Sequence, residues 1–135
     1  MRRLYSVVLA GALVAGCSAG KDTAAAQQAV VQFHQRLDAG QFDAVYDASG
    51  PELKAITSKP QFVQLLAGIH GGLGAVKSTR QTGWNVNYNN GSGTVTLTYE
   101  TQFASGGGTE EFIYRAGARP LLAGYHIQST GPTAK

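Results

Sequence analysis

Few side chains of this sequence have the chemical type and the spacing that acid–base catalysis requires. His34 and Asp38 lie four residues apart in a helical pattern, so their side chains can touch on one helix face. Such a pair could act as a general base with an orienting carboxylate; a boundary histidine beside a solvated carboxylate is the alternative interpretation. Glu110 shares the alternation of Phe112 and Tyr114, but it follows a run of glycines, which predicts an exposed rim position. His34, Asp38 and Glu110 are therefore the candidate polar site.

The sequence gives little support for a metal site or a phosphate-binding site. No two of the three histidines have the spacing of a zinc site, and Cys17 is the only cysteine. The glycines at 71–74 follow a helical segment and those at 106–108 separate two strand patterns, so neither run predicts a phosphate-binding helix start. We expect no metal and no cofactor.

Aromatic residues recur in phase with the predicted strands, which places them on one face of a sheet. Such a set forms a core in most domains. If the helices leave one end of the sheet uncovered, the same set would instead line an apolar pocket with tyrosine hydroxyls as polar anchors. These possible pocket-lining residues are Trp84, Tyr88, Tyr99, Phe103, Phe112, Tyr114 and Tyr125.

The start of the chain has the layout of an export signal. Arginines at positions 2 and 3 precede an apolar run over residues 4–15, and small residues and Cys17 follow. A membrane-spanning helix needs about 20 apolar residues, and this run is shorter. An ordinary cleaved signal would release an unpaired thiol into an oxidising compartment, which is unusual for a secreted chain.

Residues 14–17, Val-Ala-Gly-Cys, resemble a bacterial lipobox, in which the cysteine is lipidated and becomes the first residue of the mature protein. The resemblance implies stable membrane attachment through several acyl chains on Cys17. Ser18 behind the cysteine is typical of transport to the outer membrane. We expect residues 1–16 to be the signal peptide, residues 17–22 a lipidated cysteine with a short tether, and the domain to face the periplasm from the cell envelope.

Charge and size restrict the functions and the number of domains that the mature chain can have. The net charge of +3 falls to about +1 when the two signal arginines leave, because nine basic residues then face eight acidic ones. No basic cluster remains, so we exclude nucleic-acid binding. Removal of residues 1–16 from the 135-residue chain leaves 119 residues, enough for one domain with one apolar core.

Apolar spacing predicts three helices at the start of the domain. They are expected over residues 23–39, 42–48 and 58–70, with a further turn through 51–56. Asp22 or Thr23 is the expected N-cap of the first helix, and Gly40 its closing residue. Ser58 and Gln61 have the spacing of a capping box. We expect the glycines at 71–72 to end the third helix.

After Val76 the apolar period changes to strict alternation, which predicts four consecutive antiparallel strands. The clearest strand covers residues 94–103, and turns are expected at 89–93, 105–108 and 116–119. The chain is therefore predicted to be α+β. Three N-terminal helices pack on a curved four-stranded antiparallel sheet within residues 23–130, and residues 131–135 form a polar tail.

This order of elements resembles the nuclear transport factor 2-like (cystatin-like) superfamily, a cone-shaped α+β roll, and more narrowly a family of small bacterial lipoproteins of unknown function. The residues that carry the resemblance are Leu73, Gly74, Val76, Phe103, Glu110, Gly124 and Tyr125. Ketosteroid isomerase-like enzymes of the superfamily place an acidic base inside the cone, where apolar walls tune its pKa.

Most inward positions of the predicted strands lack acids, bases and metal ligands, which predicts a non-enzymatic accessory or binding domain. One alternative is a small ketosteroid isomerase-like enzyme, or a carrier of an apolar ligand in the cone cavity. Another is a subunit or inhibitor of an envelope complex that acts through protein contacts. Besides the membrane at Cys17, the expected partner is a protein or a small apolar ligand.

Overall fold

The computed structural model describes residues 17–132, which form four helices followed by an open four-stranded antiparallel sheet. The helices are α1 (Cys17–Asp38), α2 (Phe42–Asp47), α3 (Pro51–Ile56) and α4 (Lys59–Leu73). The strands are β1 (Val76–Asn89), β2 (Ser92–Phe103), β3 (Gly106–Arg115) and β4 (Leu121–Pro132). The α+β class is confirmed. The predicted signal peptide and residues 133–135 of the predicted tail lie outside the described residues.

The helices differ from the prediction in number and in two of their ends. Residues 51–56 form the additional helix α3, because Pro51 at the first helical position presets the required φ. Residues 17–22, predicted as a tether, are helical and belong to α1. Thr23 does not cap the helix, since its hydroxyl donates to the Ala19 carbonyl one turn earlier, at 2.7 Å. None of the described helices is long and apolar enough to cross a membrane.

Some ends of α1 and α4 are determined by the local sequence, and one is determined by packing against the core. Gly40 closes α1 with a φ of 73°, as expected. Ser58 and Gln61 form the predicted capping box at the start of α4. The glycines at 71–72 do not end α4, because the helix continues to Leu73, which packs against the core. Gly74 follows it with a φ of 82°.

The sheet is a meander in which each strand pairs with the next one in the chain. Asn90 and Gly91, with φ of 52° and 78°, make the tight β1–β2 turn. One face of β2 is buried, as its alternation predicts. In β4 a register shift opposite Ile113 and Tyr114 places Leu122 in the core and leaves Leu121 exposed.

The core lies between the helices and one face of the sheet. It is formed by apolar residues of every helix and of strands β2 to β4. Its α1 contribution is Ala26, Val30, Phe33 and Leu37, which lie along one helix face. The core therefore holds α1 against the sheet.

The glycines at 106–108 are part of β3 and not of a turn. Phe103 pairs with Gly106, so only Ala104 and Ser105 connect β2 to β3. The three glycines are buried, and a Cβ on Gly107 would lie 2.9 Å from the Thr130 hydroxyl of β4. Strand β3 thus begins three residues earlier than the glycine pattern predicts, and Glu110 lies well inside the sheet.

Candidate functional site

Glu110 is a fully buried carboxylate in the centre of the sheet. It lies on β3, opposite Tyr99 of β2 and Ile127 of β4, and its exposed fraction is 0%. The predicted rim position is therefore wrong. The inward phase that Glu110 shares with Phe112 and Tyr114 is confirmed, since all three residues are buried.

Three side chains from three elements surround the Glu110 carboxylate. His34 of α1 places Nε2 2.8 Å from Oε1, and the Thr101 hydroxyl of β2 donates to the same oxygen at 2.5 Å. The Tyr125 hydroxyl of β4 donates to Oε2 at 2.6 Å. We call these four residues the Glu110 cluster. Burial of a carboxylate is costly unless it is hydrogen-bonded, and here both of its oxygens are occupied.

Aromatic rings enclose the cluster. The Phe33 ring centre lies 4.7 Å from that of Tyr125 and 5.0 Å from that of Phe112, and His34 meets Phe112 edge-on at 5.6 Å. Because these rings exclude water, the hydrogen bonds to Glu110 act in a medium of low dielectric constant. Burial, and then the negative charge of Glu110, raise the pKa of Tyr125 far above its ordinary value. Tyr125 thus remains a neutral donor.

The predicted contact between His34 and Asp38 does not form. The Asp38 carboxylate is exposed and accepts from the Val76 backbone N–H at 3.1 Å, where it links the end of α1 to the start of β1. His34 is turned towards the sheet and meets Glu110 instead. The structure brings together two of the three candidate polar residues and separates the third.

The Glu110 cluster offers no surface to a substrate. Its carboxylate is sealed, and none of the main clefts found over residues 17–132 is lined by Glu110 or His34. Within the same residues no group of three histidine, cysteine or acidic side chains could hold a metal ion. The cluster joins α1 to three strands, so the arrangement is suited to fixing the helix on the sheet.

The seven aromatic residues expected to line a pocket divide into two groups. Five of them are buried in the core, and of these Tyr114 also borders a cleft; they are Tyr99, Phe103, Phe112, Tyr114 and Tyr125. Trp84 and Tyr88 lie outside this core with exposed fractions of 64% and 51%, and Trp84 borders a shallow groove. Both lie on the edge strand β1, on either side of Val86, which is half-buried against the core.

A cleft that the sequence did not predict lies between α1 and the β3–β4 connection. Its volume is about 650 Å³. Apolar and aromatic side chains form much of its wall, among them Phe33, Val45, Tyr114 and Leu122. Arg36 in the last turn of α1 and Arg119 in the β3–β4 connection add positive charge to it. We call it the arginine cleft.

The arginine cleft carries positive charge that no carboxylate in its described lining balances. No aspartate or glutamate is among the described residues that line it. Across residues 17–132 the side-chain ion pairs engage other residues, and neither Arg36 nor Arg119 belongs to one. No local pattern in the sequence pointed to this cleft, because Arg36 and Arg119 are 83 residues apart in the chain.

No protein-family model matches this chain, and no curated protein matches it significantly.

Proposed function

We propose that this chain is a lipid-anchored protein of the bacterial cell envelope, facing the periplasm from the outer membrane. In this proposal its domain binds a small anionic amphiphile and does not catalyse a reaction. The lipobox-like residues 14–17 and the lone Cys17 support the anchor. Helices followed by an antiparallel meander support a nuclear transport factor 2-like domain, with the sheet curved into a cone-shaped roll.

The arginine cleft is the observation that carries the binding function. Two guanidinium groups without carboxylate partners suit a carboxylate or phosphate headgroup, which they can bind through charge-assisted hydrogen bonds. The apolar wall formed by Phe33, Val45 and Leu122 suits a hydrocarbon body. The volume of about 650 Å³ falls within the usual range of ligand sites, roughly 300–1,000 Å³.

The Glu110 cluster supports binding over catalysis. A general base has to come within hydrogen-bond reach of the proton that it removes. Glu110 is 0% exposed, and its two oxygens already accept from protein donors. An isomerase-like role would need this cluster to open, and the closed aromatic shell around it speaks against that role.

Mass spectrometry of the mature protein tests the anchor. The expected product begins at Cys17 and carries a diacylglyceryl group on the thiol. A mature chain that starts elsewhere, or an unmodified Cys17, would contradict the anchored function. A Cys17→Ser variant is the control, and it should no longer sediment with membranes.

Calorimetric titration with dodecanoate tests the ligand class. The suitable protein begins at residue 17 and carries Cys17→Ser, because lipid and detergent would compete for the cleft. Arg36→Gln and Arg119→Gln should each weaken binding about tenfold to a hundredfold, since each removes a charge-assisted hydrogen bond worth about 1.5–3 kcal/mol. Lys77→Gln, at an exposed position outside the cleft, should leave affinity unchanged. Dodecanol, which has the same chain and a neutral head, should bind more weakly than dodecanoate.

Equal affinity for dodecanoate and dodecanol, or an unchanged affinity in both arginine variants, would overturn the anionic site. Absence of binding for dodecanoate and dodecyl phosphate at millimolar concentration would overturn the ligand class.

A further inference from the structure

We propose that Trp84 and Tyr88 form a membrane-contacting surface, which inserts into the headgroup region of the bilayer beside the lipid anchor. The inference rests on the proposed lipidation of Cys17, because that modification fixes which part of the domain lies nearest the membrane. It adds a second point of contact, made by side chains of β1.

The exposure of Trp84 and Tyr88 requires an explanation. They are exposed to 64% and 51% although they belong to the sheet face that packs on the helices elsewhere. The half-buried Val86 lies between them in the strand and packs against the core. The first residues of α1 therefore cover the two rings only in part, and the rings expose apolar surface to solvent.

Their location connects them with the start of α1. The Tyr88 hydroxyl donates to the Asp22 carboxylate at 2.5 Å. Trp84 lines a shallow groove together with Ala19, Gly20 and Thr23. On the same side, the Gln27 amide donates to the Gln81 side chain at 2.8 Å.

The anchor is therefore close to both rings. Asp22 follows Cys17 by five residues in the same helix, a rise of about 7.5 Å along the helix axis. Since lipidation places Cys17 at the bilayer surface, Trp84 and Tyr88 lie at the depth of the headgroups or just above them.

The chemistry of the two rings fits this position. Indole and phenol combine an apolar body with a polar tip, and both residues are enriched at the interface between membrane and water. Exposed aromatic rings could also contact a protein partner. The bilayer is the favoured occupant because the anchor brings it to this side of the domain in every copy of the protein.

Two points of contact would also orient the domain. The sheet order is β1-β2-β3-β4, so β4 lies three strands, or about 14 Å, away from β1. If β1 faces the bilayer, the β3–β4 connection beside the arginine cleft lies towards the edge of the sheet remote from it. The unpaired edge of β1 would then be shielded from pairing with other chains.

Tryptophan fluorescence of the lipidated full-length mature protein tests the surface directly, because Trp84 is the only tryptophan of the chain. The protein is reconstituted into vesicles of phosphatidylethanolamine and phosphatidylglycerol, and flotation measures anchorage separately. Compared with the Cys17→Ser protein, we expect an emission maximum at shorter wavelength, weaker quenching by acrylamide, and strong quenching by lipids brominated near the headgroup.

A relocated tryptophan provides the matched control. Trp84→Phe combined with Gln128→Trp moves the reporter to an exposed position of β4, on the opposite edge of the sheet. This protein should float with the vesicles as the parent does, and brominated lipids should leave its emission unchanged.

The outcomes separate the two proposals. Protein that floats while Trp84 stays fully accessible to acrylamide overturns the membrane-contacting surface and leaves the anchor in place. Shielding from acrylamide without quenching by brominated lipids shows a protein contact at Trp84 and also overturns it. Protein that fails to float overturns the anchor and this surface together.

Discussion

His34 and Glu110 are 76 residues apart in the chain, yet His34 Nε2 lies 2.8 Å from the Glu110 carboxylate inside the closed core. The same carboxylate accepts from Thr101 and Tyr125, so one side chain of β3 links α1, β2 and β4. Apolar packing can hold a helix on a sheet in several rotations. A buried polar contact permits one of them, since any other leaves its partners unsatisfied.

Glu110→Ala should destabilise the domain strongly, because it leaves the His34, Thr101 and Tyr125 donors buried without their acceptor. Loss of one partner of a buried pair costs roughly 3–5 kcal/mol, and the free energy of unfolding in urea measures it. Glu100→Ala is the matched control, since Glu100 pairs with Arg80 on the exposed face of β2. Exposed pairs are worth at most about 1 kcal/mol. Equal losses in the two variants would contradict the structural role of the cluster.

Alkaline pH should destabilise the domain through its buried tyrosines. Burial raises the pKa of Tyr114 and Tyr125 above the ordinary value of 10.0, and the charge of Glu110 adds to the shift. A group whose pKa is raised on folding contributes stability that is complete below its unfolded pKa and is lost as the pH rises above it. The free energy of unfolding should therefore fall as the pH increases beyond about 10.

Tyr125→Phe separates two effects of this tyrosine on stability, its hydrogen bond to Glu110 and its raised pKa. The variant should lose about 1.5–3 kcal/mol at neutral pH, because the hydrogen bond to Glu110 is gone. Its stability should then decline less steeply than that of the parent in alkali, since one raised pKa has been removed. An alkaline decline identical to that of the parent would show that Tyr125 ionises equally in the folded and unfolded chain.

The same substitution should have opposite effects at Gly74 and Gly68. A Cβ on Gly74 would lie 2.9 Å from the Ala104 Cβ, and its φ of 82° suits glycine, so Gly74→Ala should lower the melting temperature. Gly68 lies inside α4 with open space around its Cα, so Gly68→Ala should stabilise the domain by about 0.5–1 kcal/mol. Thermal unfolding followed by circular dichroism compares them, and shifts of the same sign would refute the steric account.

Local patterns predicted the elements whose ends depend on a few neighbouring residues. The capping box of Ser58 and Gln61, the left-handed Gly40 and the buried face of β2 are all confirmed. Packing decided the ends that were mispredicted. Leu73 extends α4 past two glycines because its side chain reaches the core.

The candidate site was only half predictable. Glu110 had the correct inward phase, but strand pairing places Gly106 beside Phe103 and thereby buries Glu110, and no local pattern contains that register. His34 lies on the apolar stripe between Val30 and Leu37, and a polar residue on such a stripe needs a partner. The available signal was that His34 and Glu110 each lie on an inward face, where a polar side chain requires a partner.

The exposure of Trp84 and the arginine cleft depend on tertiary geometry alone. Alternation placed Trp84 on the correct face of β1, but its burial depends on how far α1 extends across the sheet. Arg36 and Arg119 meet the same cleft because α1 crosses the sheet near the β3–β4 connection.

The order of strands in the meander also determines when folding can finish. Each hairpin closes between neighbours in the chain, so the sheet can assemble from short-range contacts as the strands become available. The helix α1, which is synthesised first, finds its polar partner only on β3, near the end of the chain. Until then Phe33 on its apolar stripe also lacks its contacts with Phe112 of β3 and Tyr125 of β4. For a protein made from its N-terminus, α1 is therefore the element most in need of protection from aggregation before the last two strands arrive.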